Sequence, residues 1–541
     1  MRLYYRIIRL FLISKIMLLL ASCGEEPKPA YLMPAVSTQE AMEITRTTAL
    51  LSGEVSTSGE ETITTLYFNY GTSEDLGTNV ICDPASSTPS VRLNGLHPNT
   101  TYHYCLVAGN GYSSVQSTPK SFTTEPNRKP VIGNLRMINQ GPVSITLQYD
   151  LTDDGGEPVT STGFYFRTEN NPKEQQYVIT NGGQAELQAR ISGLQTETTY
   201  HVQAYATNSI GESRSEVFSF HTRQAVIVTT PGTLHEAIDE EEKYRYSTLS
   251  IAGPLNGTDL RFLREMLGRT KDGEQTPGQM NMLDLADASI LSGGSSYDGN
   301  RFTENGEIGY GMFADCAYLQ KLILPYDTKE IRENAFINCP KLTALTIPAA
   351  TTAVMPSEHC GITNIEVAKE SRTFCSIDGI LYDQGKRHLV WFPEGKEELP
   401  SLPATTESIA PYAFRHCRMK QIELPETIKE IGKGAFYGAW IETIKLPEQM
   451  ERIAAGLFQE CRQLASVTLG SHTNYLSDYC FDGCPLQHLY VTTRDVPPMC
   501  QSQTFTEEFF KSCTLHVPHG CLSMYRQSPY WGKFVTIQEE N

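Results

Sequence analysis

Residues 409–453 read IAPYAFRHCRMKQIELPETIKEIGKGAFYGAWIETIKLPEQMERI, and one phrase occurs in them twice, 22 residues apart. An aliphatic residue is followed by Ala-Phe, then a small residue three beyond the Phe, then aliphatic-x-aliphatic-Pro. Ile409, Phe414, Cys417, Ile422, Leu424 and Pro425 spell it first, and Ile431, Phe436, Ala439, Ile444, Leu446 and Pro447 spell it again. Working outward, Phe313 with Cys316 and Leu322/Leu324, Phe336 with Cys339 and Leu345/Ile347, Phe458 with Cys461 and Val467/Leu469, and Phe481 with Cys484 and Leu489/Val491 repeat the columns. A degenerate copy has Cys360 before Ile365/Val367. A period of this length predicts a coil of stacked turns. One turn has too few apolar side chains to offset the entropy of ordering it, so each Phe and Leu must be covered by the next turn. The aliphatic-x-aliphatic pairs then become rungs of a parallel sheet, and Pro follows where no ladder donor is needed.

The phrase resembles the BspA-type leucine-rich repeat of bacterial surface proteins, over roughly residues 310–491. The resemblance implies a leucine-rich repeat solenoid with a parallel β-sheet over 309–491. Residues 374–403, FCSIDGILYDQGKRHLVWFPEGKEELPSLP, interrupt it. Ile377–Tyr382 and His388–Phe392 read as two strands around an Asp-Gln-Gly turn, a hairpin insert on the flank of the coil.

The 541-residue chain has room for several domains, and its net charge of −18 argues against nucleic acid as a partner. Its N-terminus is basic at Arg2, Arg6, Arg9 and Lys15, then apolar to Ser22, and too short to span a bilayer. Leu20-Ala21-Ser22-Cys23 resembles the lipobox of bacterial lipoproteins. That resemblance implies a signal peptide over 1–22 and a lipid anchor on Cys23, the chain's sole membrane contact, held by more than one acyl chain. Gly24-Glu25-Glu26 resembles the surface-export signal of Bacteroidetes lipoproteins and implies an outer-membrane protein facing outward. Residues 23–33 read as a tether.

Two similar segments follow. Leu96, Thr100 and Tyr102 in the first match Leu194, Thr198 and Tyr200 in the second, with Phe122 and Phe220 each twenty residues after the Tyr. Alternation at Leu66, Phe68 and Tyr70, and at Phe164 and Phe166, predicts antiparallel strands with one buried face. The Leu-x-x-x-Thr-x-Tyr element resembles the tyrosine corner of fibronectin type III and immunoglobulin-like domains. The fold class is therefore multidomain: all-β sandwiches over 34–125 and 128–223, then the solenoid. Asp153-Asp154-Gly155-Gly156 reads as a tight turn rather than a calcium loop.

Over 225–308, Leu234–Glu242 and Asp259–Leu267 read as amphipathic helices, the second capped by Thr258 or Asp259, while Leu249/Ile251 and Leu283/Leu285 read as irregular early rungs. This is an N-terminal cap for the coil. Residues 492–541, with Leu515, Val517, Tyr525, Trp531, Phe534 and Ile537, resemble the closing segment of the BspA-type family, which implies a C-terminal cap of a last strand, a short helix and an aromatic plug with Trp531 as core filler.

Six cysteines, Cys316, Cys339, Cys360, Cys417, Cys461 and Cys484, share one column with Ala439. A column that accepts Ala wants a small apolar group, which predicts buried free thiols. Disulfide candidates lie elsewhere, Cys82 with Cys105 or pairs among Cys500, Cys513 and Cys521. The adjacent pairs His359-Cys360 and His416-Cys417 do not read as nucleophile and base, and no metal-ligand spacing, P-loop or dinucleotide fingerprint occurs. The reading is a non-enzyme with no cofactor and no metal site.

What is left is surface. The candidate binding face comprises Gln421, Glu423, Glu442, Lys445, Ser466 and Thr468, with Glu366 further up and Trp391 in the insert as an exposed aromatic. Family resemblance implies adhesion to extracellular host or bacterial proteins, the sandwiches acting as a stalk. The alternative is a surface glycan-binding protein of a polysaccharide-uptake system, which would present a platform of exposed aromatic rings.

Overall fold

The computed structural model describes residues 33–57, 62–179, 186–398 and 400–540. The signal peptide, the lipobox Cys23 and nearly all of the tether lie outside the described residues. The chain is mostly β, with a β-rich N-terminal region and a C-terminal region of parallel rungs.

In the N-terminal region, Ala35–Thr38, Thr48–Ser56 and Ser90–Asn94 form one antiparallel sheet, and Thr65–Gly71 and Thr101–Gly109 lead a second. Alternating side chains place Leu51, Leu66, Phe68, Leu93, Tyr104 and Leu106 in a common core. The same plan recurs over 131–221, where Ser144–Asp153 and Thr199–Asn208 each sit inside a sheet and Ile145, Leu147, Phe164, Val202 and Phe220 fill a separate core. Both tyrosine corners are present: the His97 N–H donates to Tyr102 Oη at 2.9 Å and the Gln195 N–H to Tyr200 Oη at 2.9 Å. Asp153–Gly156 is a turn, with the Gly155 and Gly156 N–H groups donating to the Asp153 and Asp154 carboxylates. Asp153 also meets Arg46 at 2.7 Å, which ties the two antiparallel units together, and Arg128 of its own unit at 2.8 Å.

The repeats run as two parallel ladders on either side of an apolar interior that divides into two clusters at the insert. The longer rungs include Thr443–Lys445, Ser466–Thr468, His488–Tyr490, Thr514–Val517 and Thr536–Glu539, paired in register. Shorter two-residue rungs, such as Glu430–Ile431 and Arg452–Ile453, pair with copies one turn away. Between the ladders Phe414, Phe436, Phe458 and Phe481 stack at centroid spacings of 5.2, 5.6 and 5.9 Å. The Cys column is buried beside them, Cys484 only partly, and all described cysteines are free thiols, Cys82, Cys105, Cys500, Cys513 and Cys521 included.

Three local expectations are corrected. The insert is a three-stranded meander, Phe374–Ile377, Ile380–Asp383 and His388–Trp391, and it lies in the stack rather than on its flank. Its last strand pairs in parallel with Ser408–Ile409, and Phe392 stacks on Phe414 at 5.0 Å. The first cap helix is one turn, Leu234–Ala237, since the acidic run Asp239–Glu242 would sit at its negative end. The second, Gly257–Met266, is capped by Asn256, and Asp259 supplies the returning half of a capping box. At the other end Trp531 packs on Phe534, with its indole N–H donating to Pro498 O at 2.7 Å.

Candidate binding face

Each longer rung points its central aliphatic side chain inward, Thr514–Val517 adding Val517 to Leu515, and the residues flanking that central position lie on the other face, as the period of two requires. The register aligns the outward residues in two columns. Thr443, Ser466, His488, Thr514 and Thr536 form one, continued by Gln421 through its bridge to Thr443. Lys445, Thr468, Tyr490, His516 and Gln538 form the other, with Glu423 next in line. Gln421, Glu423 and Lys445 are exposed and Ser466 and Thr468 half-buried. Glu442 stands one residue ahead of its rung, half-buried, with Lys420 Nζ 2.9 Å from its carboxylate. Glu366 is exposed on an earlier rung.

Trp391 does not belong to this face. It is 1% exposed and packed in the interior, because a strand stacked between two turns must bury its large apolar side chains. Phe392 is equally buried. The aromatic feature that the face does carry is Tyr490 lying on His516, centroids 4.1 Å apart and planes 15° apart, with His488 Nδ1 3.0 Å from His516 Nε2.

The upper part of the outward face is covered. Asp284, on the rung Met282–Ile290, has a fully buried side chain and pairs with Arg223 at 2.9 Å. Burial pushes its carboxyl above the usual range, against the pull of the Ala286 N–H and Arg223. Three residues on, Asp287 accepts from the Val143 N–H at 2.6 Å and the Ser144 hydroxyl at 2.5 Å, and pairs with Arg190, whose guanidinium also lies 4.3 Å from the Tyr326 ring centre. Lower down, Gln188 donates to Glu370 at 2.6 Å. The second antiparallel unit thus packs on the first rungs and leaves those after the insert open. Periodicity carries no signal of this contact.

Neither His-Cys pair forms a nucleophile and base. Cys360 and Cys417 are buried with their thiols pushed up to about 12, chiefly by desolvation, while the preceding histidines sit on the turn edge. On that edge Glu358, His359 and His416 each bring a ligand atom within 4.8 Å of the others.

Residues 302–382 and 395–516 match, in six copies, the family described as BspA type Leucine rich repeat region. This part of the chain is a BspA-type leucine-rich repeat. The match breaks off at 382 and resumes at 395, so the insert's last strand and Phe392 lie outside it. The chain is also similar to Neural cell adhesion molecule 1 of Gallus gallus, 26% identical over 135 residues, and to Neural cell adhesion molecule 1-B of Xenopus laevis, 29% identical over 153 residues. Those stretches are 25% and 27% of this chain and only 12% and 13% of the two relatives. Among solved structures, the pneumococcal vaccine antigen PcpA aligns at 19% identity over 59% of this chain and 84% of that one, with a TM-score of 0.38. A leucine-rich repeat protein from Eubacterium ventriosum aligns at 14% identity over 58% and 82%, with a TM-score of 0.37. No helix among the described residues is long and apolar enough to cross a membrane.

Proposed function

We propose that this chain is a cell-surface lipoprotein of the outer membrane, anchored through Cys23, in which two fibronectin type III-like sandwiches carry a leucine-rich repeat solenoid that binds extracellular proteins in the manner of an adhesin. The domain limits are those read from the sequence, 34–125 and 128–223 for the sandwiches, 225–308 for the N-terminal cap, 309–491 for the repeats and 492–541 for the C-terminal cap. The observation that carries this reading is the open half of the outward face, two in-register columns of mostly polar side chains from Gln421 to Gln538, of which His516 alone is buried, under Tyr490 and Glu540. Repeat arrays use such faces to hold extended partners. The role is binding and not catalysis.

The test uses the full chain against panels of extracellular proteins and polysaccharides. A charge reversal at Lys445 combined with Thr468→Arg is expected to weaken protein capture more than about tenfold, as disruption at the centre of an interface does, while leaving the melting curve in place. A second reading, glycan binding, draws on the Tyr490–His516 pair, since stacked rings suit sugar faces. Retention by polysaccharide that Tyr490→Ala abolishes, with protein capture absent, would favour it instead.

A further inference from the structure

The residue just before the Cys column has a left-handed backbone in copy after copy: φ is 59° at Asp315, 57° at Asn338, 52° at His359, 55° at His416, 64° at Gly438, 61° at Glu460 and 74° at Gly483. Side chains other than Gly, Asn and Asp adopt this region at a cost, so the coil imposes it on the two histidines. It lines up one edge of the coil. In regular copies the N–H of this residue donates to a carbonyl of the next turn, Asp315 to Ile337 at 2.9 Å, His416 to Tyr437 at 2.8 Å and Glu460 to Asp482 at 2.8 Å.

At His359 that carbonyl is replaced. The next turn belongs to the insert, and the His359 N–H donates to the Glu394 carboxylate instead, Oε2 at 2.5 Å. Glu394 stands 22 residues before His416, one repeat period away. The substitution leaves a step in the edge across which the rings of His359 and His416 lie 4.6 Å apart with planes 29° apart, although 57 residues separate them in sequence. Glu358 Oε2 is 3.1 Å from His416 Nε2, and Glu394 Oε1 is 3.8 Å from His359 Nδ1.

We propose that His359, His416, Glu358 and Glu394 bind one divalent transition-metal ion, with Zn2+ the best match, at the place where the insert interrupts the repeats. Two imidazoles and two carboxylates are the N/O donor set that Zn2+ takes in a four-coordinate site, with bonds of about 2.0–2.2 Å. Ligand atoms of Glu358, His359 and His416 lie within 4.8 Å of one another and Glu394 Oε1 is 3.8 Å from His359 Nδ1. The donors must therefore draw in to reach those lengths, Glu394 as the last to join, a movement open to His359, whose side chain is 53% exposed. Charge points the same way. Arg415 lies 3.2 Å from Glu333 and 2.7 Å from Glu358, while Glu394 has His359 as its ion-pair neighbour and feels Arg418 only from beyond ion-pair distance. The Glu358 and Glu394 side chains are only 13% and 10% exposed, and buried carboxylates need compensation. The ion supplies it at Glu394, which no arginine pairs directly, while Arg415, lying near the Tyr412 and Tyr437 rings, holds Glu358 through the same Oε2 that faces His416.

Such an ion would tie the third copy, the insert and the fourth copy together, at the join where the interior of the repeats divides into two apolar clusters. Metal binding then stabilises the repeat region, because it favours the folded state alone.

The test is Zn2+ titration by calorimetry on the purified, reduced full chain, with Co2+ as a spectroscopic probe. The substitutions His359→Asn and His416→Asn suit a left-handed position, as Asn338 shows in the same column, and remove the ligands. Expected are one Zn2+ per chain, a Co2+ visible spectrum without the ultraviolet charge-transfer band of thiolate ligands, a raised melting temperature with Zn2+, and a loss of affinity of more than about tenfold in either variant. Apo melting curves confirm that both variants fold. The proposal is overturned if the wild-type chain takes up no Zn2+, or if uptake carries the thiolate band and persists in the doubly substituted chain, which would place the ion on cysteines.

Discussion

The rings of Phe414 and Phe436, 22 residues apart in sequence, lie 5.2 Å apart with planes 21° apart, and both are fully buried. Each is a lid for the turn before it and a floor for the turn after it. Phe436→Ala is expected to cost about 3–5 kcal/mol, because the turns above and below are held by their own ladders and cannot collapse into the space. Chemical denaturation followed by tryptophan fluorescence reads this directly, since Trp391, Trp440 and Trp531 all belong to the repeats or their closing cap. An unchanged midpoint would count against stacking as the source of stability.

The thiols of the neighbouring column should be chemically quiet. Cys339, Cys461 and Cys484 each donate to the carbonyl of the Phe one turn earlier, at 2.9 Å to Phe313, Phe436 and Phe458. Burial pushes Cys360 and Cys417 up to about 12, so at pH 8 almost no thiolate exists to react. Iodoacetamide labelling of the native chain, read by mass spectrometry, should spare Cys360, Cys417 and Cys461 and reach them only after unfolding. Cys417→Ala should cost about 1 kcal/mol, well below the Phe change, because Ala439 already occupies this column one turn on. Rapid labelling of Cys417 in the folded chain would contradict the assignment.

Much of the interior was legible because the repeat states the same demand seven times. Columns at Phe, Cys and aliphatic-x-aliphatic are what a turn needs to bury, and their side chains are buried in the structure, with Val367, Leu424 and Cys484 partly so. The tyrosine corners were legible for a similar reason, since Tyr102 and Tyr200 sit at fixed offsets from Leu96 and Leu194. The insert was misread because its Trp391-Phe392 pair resembles a hairpin's apolar face. Phe392 nonetheless stands 22 residues before Phe414, the repeat period itself, and that spacing could have placed it in the stack. The approach of His359 to His416 had no comparable signal, since it depends on which backbone carbonyl the insert fails to supply. Nor did the covering of the first rungs, where Asp284 and Asp287 look like ordinary polar positions on a strand until Arg223 and Arg190 arrive from another part of the chain.

That covering contact leads to a further expectation. Asp287 has a side chain only 4% exposed, accepts from Val143 N–H and Ser144 Oγ, and faces Arg190. Asp287→Ala leaves Arg190 without its charge partner and orphans two donors, a loss of about 3–5 kcal/mol from the contact. Freed of it, the second antiparallel unit should swing away from the rungs. Small-angle scattering should show a larger maximum dimension for the variant, and protease cleavage near Arg223 should accelerate. Superimposable scattering curves would mean that the contact does not hold the two parts together.

The junction between the two antiparallel units should respond to acid. The Arg128 guanidinium, then the Gly155 N–H and Arg46, hold the Asp153 carboxyl well below the usual carboxylate range, outweighing its partial burial. A carboxyl depressed in the folded state contributes stability at every pH above its unfolded value, about 3.9, and loses that contribution as pH falls from there through the folded value. Asp153→Asn removes the charge and both ion pairs at all pH values. The variant should therefore melt below the wild type at pH 7, and the gap between the two should stay level down to about pH 4 and narrow below it. Differential scanning calorimetry from pH 7 to pH 2 measures that gap. A gap that widens on acidification, or that is absent at neutral pH, would show that Asp153 does not join the units through its charge.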